Sequence, residues 1–449
     1  MAGLPVRWIR GLCVLGCALA VFCAAGRDVA AADDGEANRL FVGAVLAVRK
    51  ADALPIRSSQ GRALLYGEAA LKLNKIIVDH PDSDLAVKLV AGEPIGDITL
   101  WGVARKGLLA GAAICLDKLN PYCLLETVDP LVKELADAGA ADGIQRSRAW
   151  IFAKRGDFDK ARQAVDSIRA GLVRAMALGY LAGWKAEFGE RQKALDVLEE
   201  AKILVHGTSG GLDRIDALSE MAWAYAKLGE MGQARALWRE ADSVWQGLTN
   251  KYDRVVGKSE LAYDKLDVDA VAEAEPDLEW LDSQLTDAGK ISAYRAQTFD
   301  VRDMIDHSFM AARAEVAASF SYAIAGREAD AARSLSTIEQ FLGSSGHLQA
   351  DTWLLANLAD AQARLGRFDD ALATARAISA DEHRAYALLW IAASRLDAKE
   401  PKAAREILFD ALGAAEGLDS RDRLASFIVD VAVDLAESAS AGAPRTDED

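Results

Sequence analysis

Histidine, proline and cysteine are scarce in this chain: its 449 residues hold 5 His, 9 Pro and 5 Cys. His80, His206, His307, His347 and His383 stand apart from one another, no two at i, i+4, and neither H-E-x-x-H nor a cysteine-histidine cluster occurs. A metal centre therefore has no ligand set. A phosphate-cradling G-x-x-x-x-G-K-[ST] is also missing. Carboxylates such as Asp369 and Asp370 are abundant, but on helices they read as solvated faces, and nothing singles out an acid and base pair. With no placed nucleophile, base or metal ligand, no catalytic residue and no cofactor is assigned, and an enzyme is not expected.

Long apolar runs are lacking too. Gly11 to Ala25 is shorter than the roughly 20 residues a membrane-spanning helix needs, and Arg105 and Lys106 interrupt the run from Ile98 to Leu116. Preceded by Arg7 and Arg10 and followed by Ala30-Ala31-Ala32, the first run has the layout of an export signal. The mature chain is expected to begin near Asp33, in the periplasm or outside the cell, with no transmembrane segment. The competing arrangement is a lipid anchor on Cys17, since Val14-Leu15-Gly16-Cys17 has the form of a lipidation box. Only six apolar residues would then separate Arg10 from Cys17.

Basic residues are outnumbered. The formal charge of -16 becomes -18 once Arg7, Arg10, Arg27 and Asp28 leave with residues 1–32. Such a surface repels phosphate backbones and anionic lipid, which argues against nucleic acid as a partner. The mature chain keeps only Cys115 and Cys123. They flank Asn120-Pro121, where one helix should end and the chain turn into the next, so the sulfurs come within reach of a disulfide; two buried thiols are the alternative.

What the chain has in abundance is a repeating alanine. Ala161, Ala194, Ala234, Ala274, Ala331, Ala371 and Ala404 each follow a turn by five residues. The turns are Gly156, Gly189, Gly229, Gly326 and Gly366, with Asp269 and Lys399 in two irregular copies, and they lie 33, 40, 40, 57, 40 and 33 residues apart. Seven residues before each turn another small residue recurs: Ala149, Ala182, Ala222, Ala262, Ser319, Ala359 and Ala392. Each helix of a pair thus offers a flat spot to its partner, which specifies an all-α solenoid of stacked hairpins.

The repeat resembles the tetratricopeptide repeat, best in Leu218, Ala222, Tyr225, Gly229, Ala234, Trp238 and Ala241, and again in Leu355, Ala359, Gln362, Gly366, Phe368, Ala371 and Ile378. The second copy departs at Gln362, where the family prefers an aromatic. The resemblance covers Asp142 to Glu416, about three fifths of the chain, and implies a right-handed α-solenoid with its first helices lining a concave face. It says almost nothing about function, because this scaffold serves many unrelated partners.

Around the repeats the reading is coarser. Residues 33–141 are expected to form two or three divergent hairpins, with Pro81 ending one helix and Ser83 capping the next. Asp419 to Ser440 should be a helix capping the open end of the stack (417–440), and Ala441 to Asp449 a disordered tail. About 20 extra residues around Thr286 to His307 form an insertion between the turns at Asp269 and Gly326. Gly207-Thr208-Ser209-Gly210-Gly211 fits the nucleophile-elbow pattern G-x-S-x-G, but a helix, Gln192 to Val205, stands where a strand is required, so the segment reads as a connector.

Six residues before the turn, four copies carry an aromatic: Trp150, Trp223, Tyr263 and Phe320. On the first helices these are the candidate partner-binding residues, with packing between neighbouring repeats as the alternative. The expected function is an exported protein-protein interaction scaffold serving an envelope or secretion assembly, its partner another protein or a peptide. The alternatives are a glycan-binding module and a toroid-type helical enzyme cleaving polysaccharides.

Overall fold

The computed structural model describes residues 34–135, 137–206, 208, 210–281, 283, 319, 322, 326–344 and 352–439. The described chain is helical, its only ladder-type pairing being an isolated bridge between Ile95 and Ile98. Two compact units divide it: Met1–Ala136 with Arg405–Leu435, and Asp137–Ala404 with Ala436–Asp449.

The second unit contains the repeats. Its first helices are α6 (Ala138–Arg155), α8 (Gly171–Glu187), α10 (Leu212–Lys227) and α12 (Lys251–Asp267), followed later by Thr352–Arg364 and Asp381–Asp397. Their hairpin partners include α7 (Phe158–Asp166), α9 (Arg191–His206), α11 (Met231–Gln246) and helical residues 271–281. All seven recurring post-turn alanines are fully buried, and so are the seven small residues of the first helices. A methyl group or hydroxymethyl at these crossings lets the two backbones approach, and anything longer would hold them apart.

The seven turns share one backbone state. Gly156, Gly189, Gly229, Gly326 and Gly366 have φ between 69° and 85°, and Asp269 and Lys399 take φ of 59° and 63°. In each, the residue after the turn donates its N–H five residues back, as in Asp157 to Phe152 O at 2.9 Å and Glu400 to Arg395 O at 2.9 Å. That bond closes the left-handed helix cap, so the two irregular copies adopt the same turn against the preference of their side chains. Helix starts are equally specific: buried Asp142 on α6 accepts from Arg169 N at 3.2 Å and Ala170 N at 2.9 Å, capping α8, which has no side-chain cap of its own.

A cluster of paired charges also sits inside this unit. Asp277 accepts from Lys258 Nζ and Lys265 Nζ, both at 2.5 Å, and Lys258 also reaches Asp242 at 2.7 Å. All three of Lys258, Lys265 and Asp277 are buried, and the mutual pairing makes that burial tolerable.

The other unit begins with α1 (Asp34–Asp52) and α2 (Ser59–Asp79), an antiparallel pair, then α3 (Asp84–Ala91), α4 (Leu100–Leu116) and α5 (Pro121–Val132). Ser83 Oγ accepts from Ala86 N, capping α3, and Asn120 Oδ1 accepts from Tyr122 N and Cys123 N, capping α5. Cys115 and Cys123 are disulfide-bonded across that turn, their Cα atoms 5.5 Å apart. No described helix is long and apolar enough to cross a membrane.

The C-terminal segment departs from the expected end cap. Residues 405–435 belong to the same unit as the first hairpins. Arg62 pairs with Glu416 at 2.7 Å, Trp101 Nε1 donates to Asp419 O at 2.7 Å, and Arg105 donates to Leu418 O at 3.2 Å. Helix Arg421–Ala439 buries Leu424, Phe427, Ile428, Val431 and Leu435 along one stripe and Ala425, Val429, Ala432 and Ala436 along the stripe beside it. A cap on an open end would bury one face, whereas these residues leave few sides of the helix to solvent.

Candidate functional site

The first helices α6, α8, α10 and α12 pack in succession, side by side, so residues at equal distances from their turns form rows across the repeats. Alongside the row six before the turn run others at nine, thirteen and two before it, spaced as one stripe of a helix. In the middle of the array this stripe is polar. It carries Tyr180 on α8, Asp216 and Glu220 on α10, and Glu260 and Asp267 on α12, and beside it stand Asp264 on α12 and Arg146 on α6.

Protein surrounds these groups, although water reaches some of them: Glu260 is exposed and Asp264 is 9% exposed. Burial drives the Asp216 carboxyl up to about 7, and the Glu260 charge adds to the shift while Arg146 opposes it. Burial also pushes Glu220 well above the usual carboxylate range, helped by the Asp264 charge and opposed by the nearby Tyr180 hydroxyl and the Arg146 charge. Asp264 is pushed well up by burial and by the Glu260 and Asp216 charges, and Glu260, open to water on one side, is raised by the protein packed around its carboxyl, against the Arg146 charge. Arg146 is held more firmly protonated, first by Tyr180 and then, against the effect of burial, by Glu220, Asp216 and Glu260. Asp216, Glu220 and Glu260 thus share the Arg146 guanidinium, and Asp264 adds a fourth carboxyl beside them. Crowded together, they cannot all ionise cheaply without a further positive charge.

The aromatic row is placed differently from an open groove. Trp150 and Trp223 are joined through Trp184, with ring centroids 6.3 Å and 6.0 Å apart and both contacts edge-to-face. Lys154 Nζ stands 4.6 Å from the Trp150 ring centre and Lys227 Nζ 5.6 Å from that of Trp223. Trp223 is 7% exposed and donates Nε1 to Asp267 Oδ2 at 2.5 Å. Its ring occupies the notch left by Gly183 on the preceding repeat, where a Cβ would meet Trp223 Cζ3 at 1.8 Å. Little of that ring remains for a partner. Trp150 is half-buried and Tyr263 is 38% exposed, while Phe320 lies outside the described residues.

A second aromatic group was invisible to the six-before-the-turn pattern. Trp353 contacts His383, Tyr386 and Trp390 at centroid distances of 5.0, 6.3 and 5.6 Å, and Thr352 Oγ1 bonds His383 Nδ1 at 2.6 Å. Trp353 and Tyr386 both stand thirteen before their turns and Trp390 nine before. Writing those two rows out from the sequence would have exposed both this group and the carboxylates.

The G-x-S-x-G segment connects α9 to α10. Gly207 and Ser209 lie outside the described residues, as do residues 284–318 with the expected insertion and the tail 441–449. Thr208 Oγ1 donates to Leu204 O at 2.8 Å and Arg214 Nη1 to Thr208 O at 3.2 Å, bonds that close a helix end and join it to the next helix. Among the described residues no group of three or more His, Cys, Asp or Glu is arranged to hold a metal ion.

No protein-family model matches the chain, and no curated protein matches it. Two solved structures are similar in part. Ton1535 from Thermococcus onnurineus NA1 aligns over 68% of this chain and 98% of its own at 14% identity, with a TM-score of 0.27. A Rap protein complexed with Competence and Sporulation Factor aligns over 90% of this chain and 99% of its own, also at 14% identity, with a TM-score of 0.28. The all-α hairpin architecture stands on this chain's own helices and turns.

Proposed function

We propose that this chain is an exported interaction scaffold that holds a peptide segment of a partner protein along the first-helix stripe. The supporting observation is the mixed character of the stripe: Asp216, Glu220 and Glu260 on α10 and α12 interact with Arg146, Asp264 adds its carboxyl to theirs, and Tyr263 is exposed on the same helix. A lysine or arginine side chain from a partner supplies the missing positive charge, and a partly desolvated ion pair of this kind is stronger than one on an open surface. Trp150 and Tyr263 add rigid contact area on either side. An envelope or secretion assembly is the partner class that fits an export signal at residues 1–32.

Selection from a random peptide library tests the reading. Recovered sequences should be enriched in Arg or Lys, and Glu220→Gln with Glu260→Gln should weaken their binding about tenfold or more, the scale of removing one close charge pair. Recovery of peptides without basic residues, or affinity unchanged in both variants, would refute it. For export, N-terminal sequencing of protein from the envelope fraction should find Asp33 or a neighbour; an intact Met1 in soluble cytoplasmic protein would contradict it.

A further inference from the structure

Soluble helices usually turn charged residues to solvent, but the hairpin of α1 and α2 turns out aliphatic ones. Leu64, Leu71 and Val78 on α2 are 72, 49 and 61% exposed, and Val42 and Leu46 on α1 are 57 and 52% exposed. Val87 and Val90 on α3, which packs on α2, are exposed as well. The buried residues of α2, including Tyr66, Leu73 and Ile76, lie on its opposite side, so these leucines are no part of the unit's own core. Summed over the three helices, these seven aliphatic side chains expose on the order of 600 Å² of apolar surface, of which Leu64, Leu71 and Val78 form one row along α2.

The spacing points to what covers it. Leu64, Leu71 and Val78 are seven residues apart, the row that one helix presents to another lying along it. We propose that α2 packs antiparallel on α2 of a second copy of this chain, with Leu71 on the two-fold axis and Leu64 of each copy against Val78 of the other.

The row is symmetric about Leu71, as a two-fold contact requires. Its charges are self-complementary. With Leu71 on the axis, Glu68 of one copy comes beside Lys75 of the other, and the same pair forms again on the far side of the axis. Within one copy Glu68 pairs with Lys72 one turn along, and Lys75 makes only long contacts, 3.8 Å to Glu36 and 3.9 Å to Asp79, both partners about half exposed, so a second copy's Lys75 would join the Glu68–Lys72 pair. Gly67, beside the row, has open space where a Cβ would stand, which leaves room for a second helix. Glu36, Glu68, Lys72 and Lys75 mix both signs along the hairpin, so no positive field draws this face to an anionic lipid surface.

Light scattering on the chain purified from expressing cells should return the mass of two chains at about 10 to 100 µM, a range in which interfaces of this size associate. Leu71→Arg should return the mass of one chain with an unchanged circular dichroism spectrum. Leu71→Cys should cross-link to itself under mild oxidation, whereas the parent and Ile203→Cys, exposed elsewhere on α9, should not. Glu68→Lys and Lys75→Glu should each weaken the dimer, and the two together should restore it. If Leu71→Arg fails to fold, the cysteine and charge-exchange variants decide alone. A parent of single-chain mass throughout, a dimeric Leu71→Cys variant that does not cross-link, or binding to neutral phosphatidylcholine vesicles through this face without dimer formation would overturn the proposal.

Discussion

Replacing Gly183 by alanine adds one methyl group and should destabilise the repeats. The new Cβ would stand 1.8 Å from Trp223 Cζ3, 2.5 Å from Cε3 and 2.6 Å from Cη2, so the indole has to shift by about 1.5 to 2 Å to reach ordinary van der Waals separation. It has nowhere easy to go. Its edge packs on Trp184 at 6.0 Å, its Nε1 is bonded to Asp267, and only 7% of the residue is exposed. Overpacking of this kind costs about 1 to 3 kcal/mol, and loss of the indole-carboxylate bond adds about 1.5 to 3 kcal/mol if the ring swings away. Alanine recovers about 1 kcal/mol of helix propensity. The expected net is a loss of about 1 to 3 kcal/mol, or roughly 3 to 10 °C in Tm for a cooperative unit of this size. Gly143 on α6 has nothing within 4 Å of a Cβ, so Gly143→Ala should show the propensity gain alone, a rise of about 0.5 to 1 kcal/mol. Thermal unfolding followed by circular dichroism measures both. Combining Gly183→Ala with Trp223→Leu should cost less than the two separate losses added together, because the methyl group then enters vacated space. A Gly183→Ala protein melting at or above the parent would show that Trp223 is not lodged on α8, and the packing account of the aromatic row would fall.

Three further perturbations follow from the same structure. Lys399→Gly should stabilise the last turn by about 0.5 to 1 kcal/mol, because lysine is held at φ 63° there and relief of left-handed strain exceeds the entropy glycine loses; an unchanged or lower urea midpoint would argue for a different turn. Asp277→Ala strips two buried lysines of their shared carboxylate and should cost about 3 to 5 kcal/mol in urea unfolding, against nothing measurable if the charges were solvated. Asp216 has a folded-state pKa raised to about 7, so the folded state holds that proton more tightly than the unfolded one. The penalty on folding is absent below the ordinary carboxylate pKa, grows as pH rises to about 7, and is constant above. Asp216→Asn, which mimics the protonated acid, should match the parent in Tm near pH 4 and exceed it increasingly up to pH 7; a pH-independent difference would refute the assignment.

The hairpins, their turns and their crossings were determined by the chain locally. Ala161 and its counterparts had to be small because two helices cross there, and the same spacing located Asp269 and Lys399 at turns whose backbone glycine would prefer. Ser83 and Asn120 announced helix starts because capping is a contact within three residues. Relations between distant segments required the tertiary structure. Gly183 and Trp223 look unrelated in sequence, but the indole of one repeat fills the missing side chain of another, so a row that reads as exposed aromatics is partly interior. The four carboxylates of α10 and α12 look like ordinary solvated charges until their helices are set side by side; packing is what lowers the local dielectric and raises their proton affinity. Residues 405–435 joined the first hairpins rather than an open end because apolar residues on several sides of the last helix need enclosure, and which surface encloses them is a matter of three-dimensional fit that no helical period encodes.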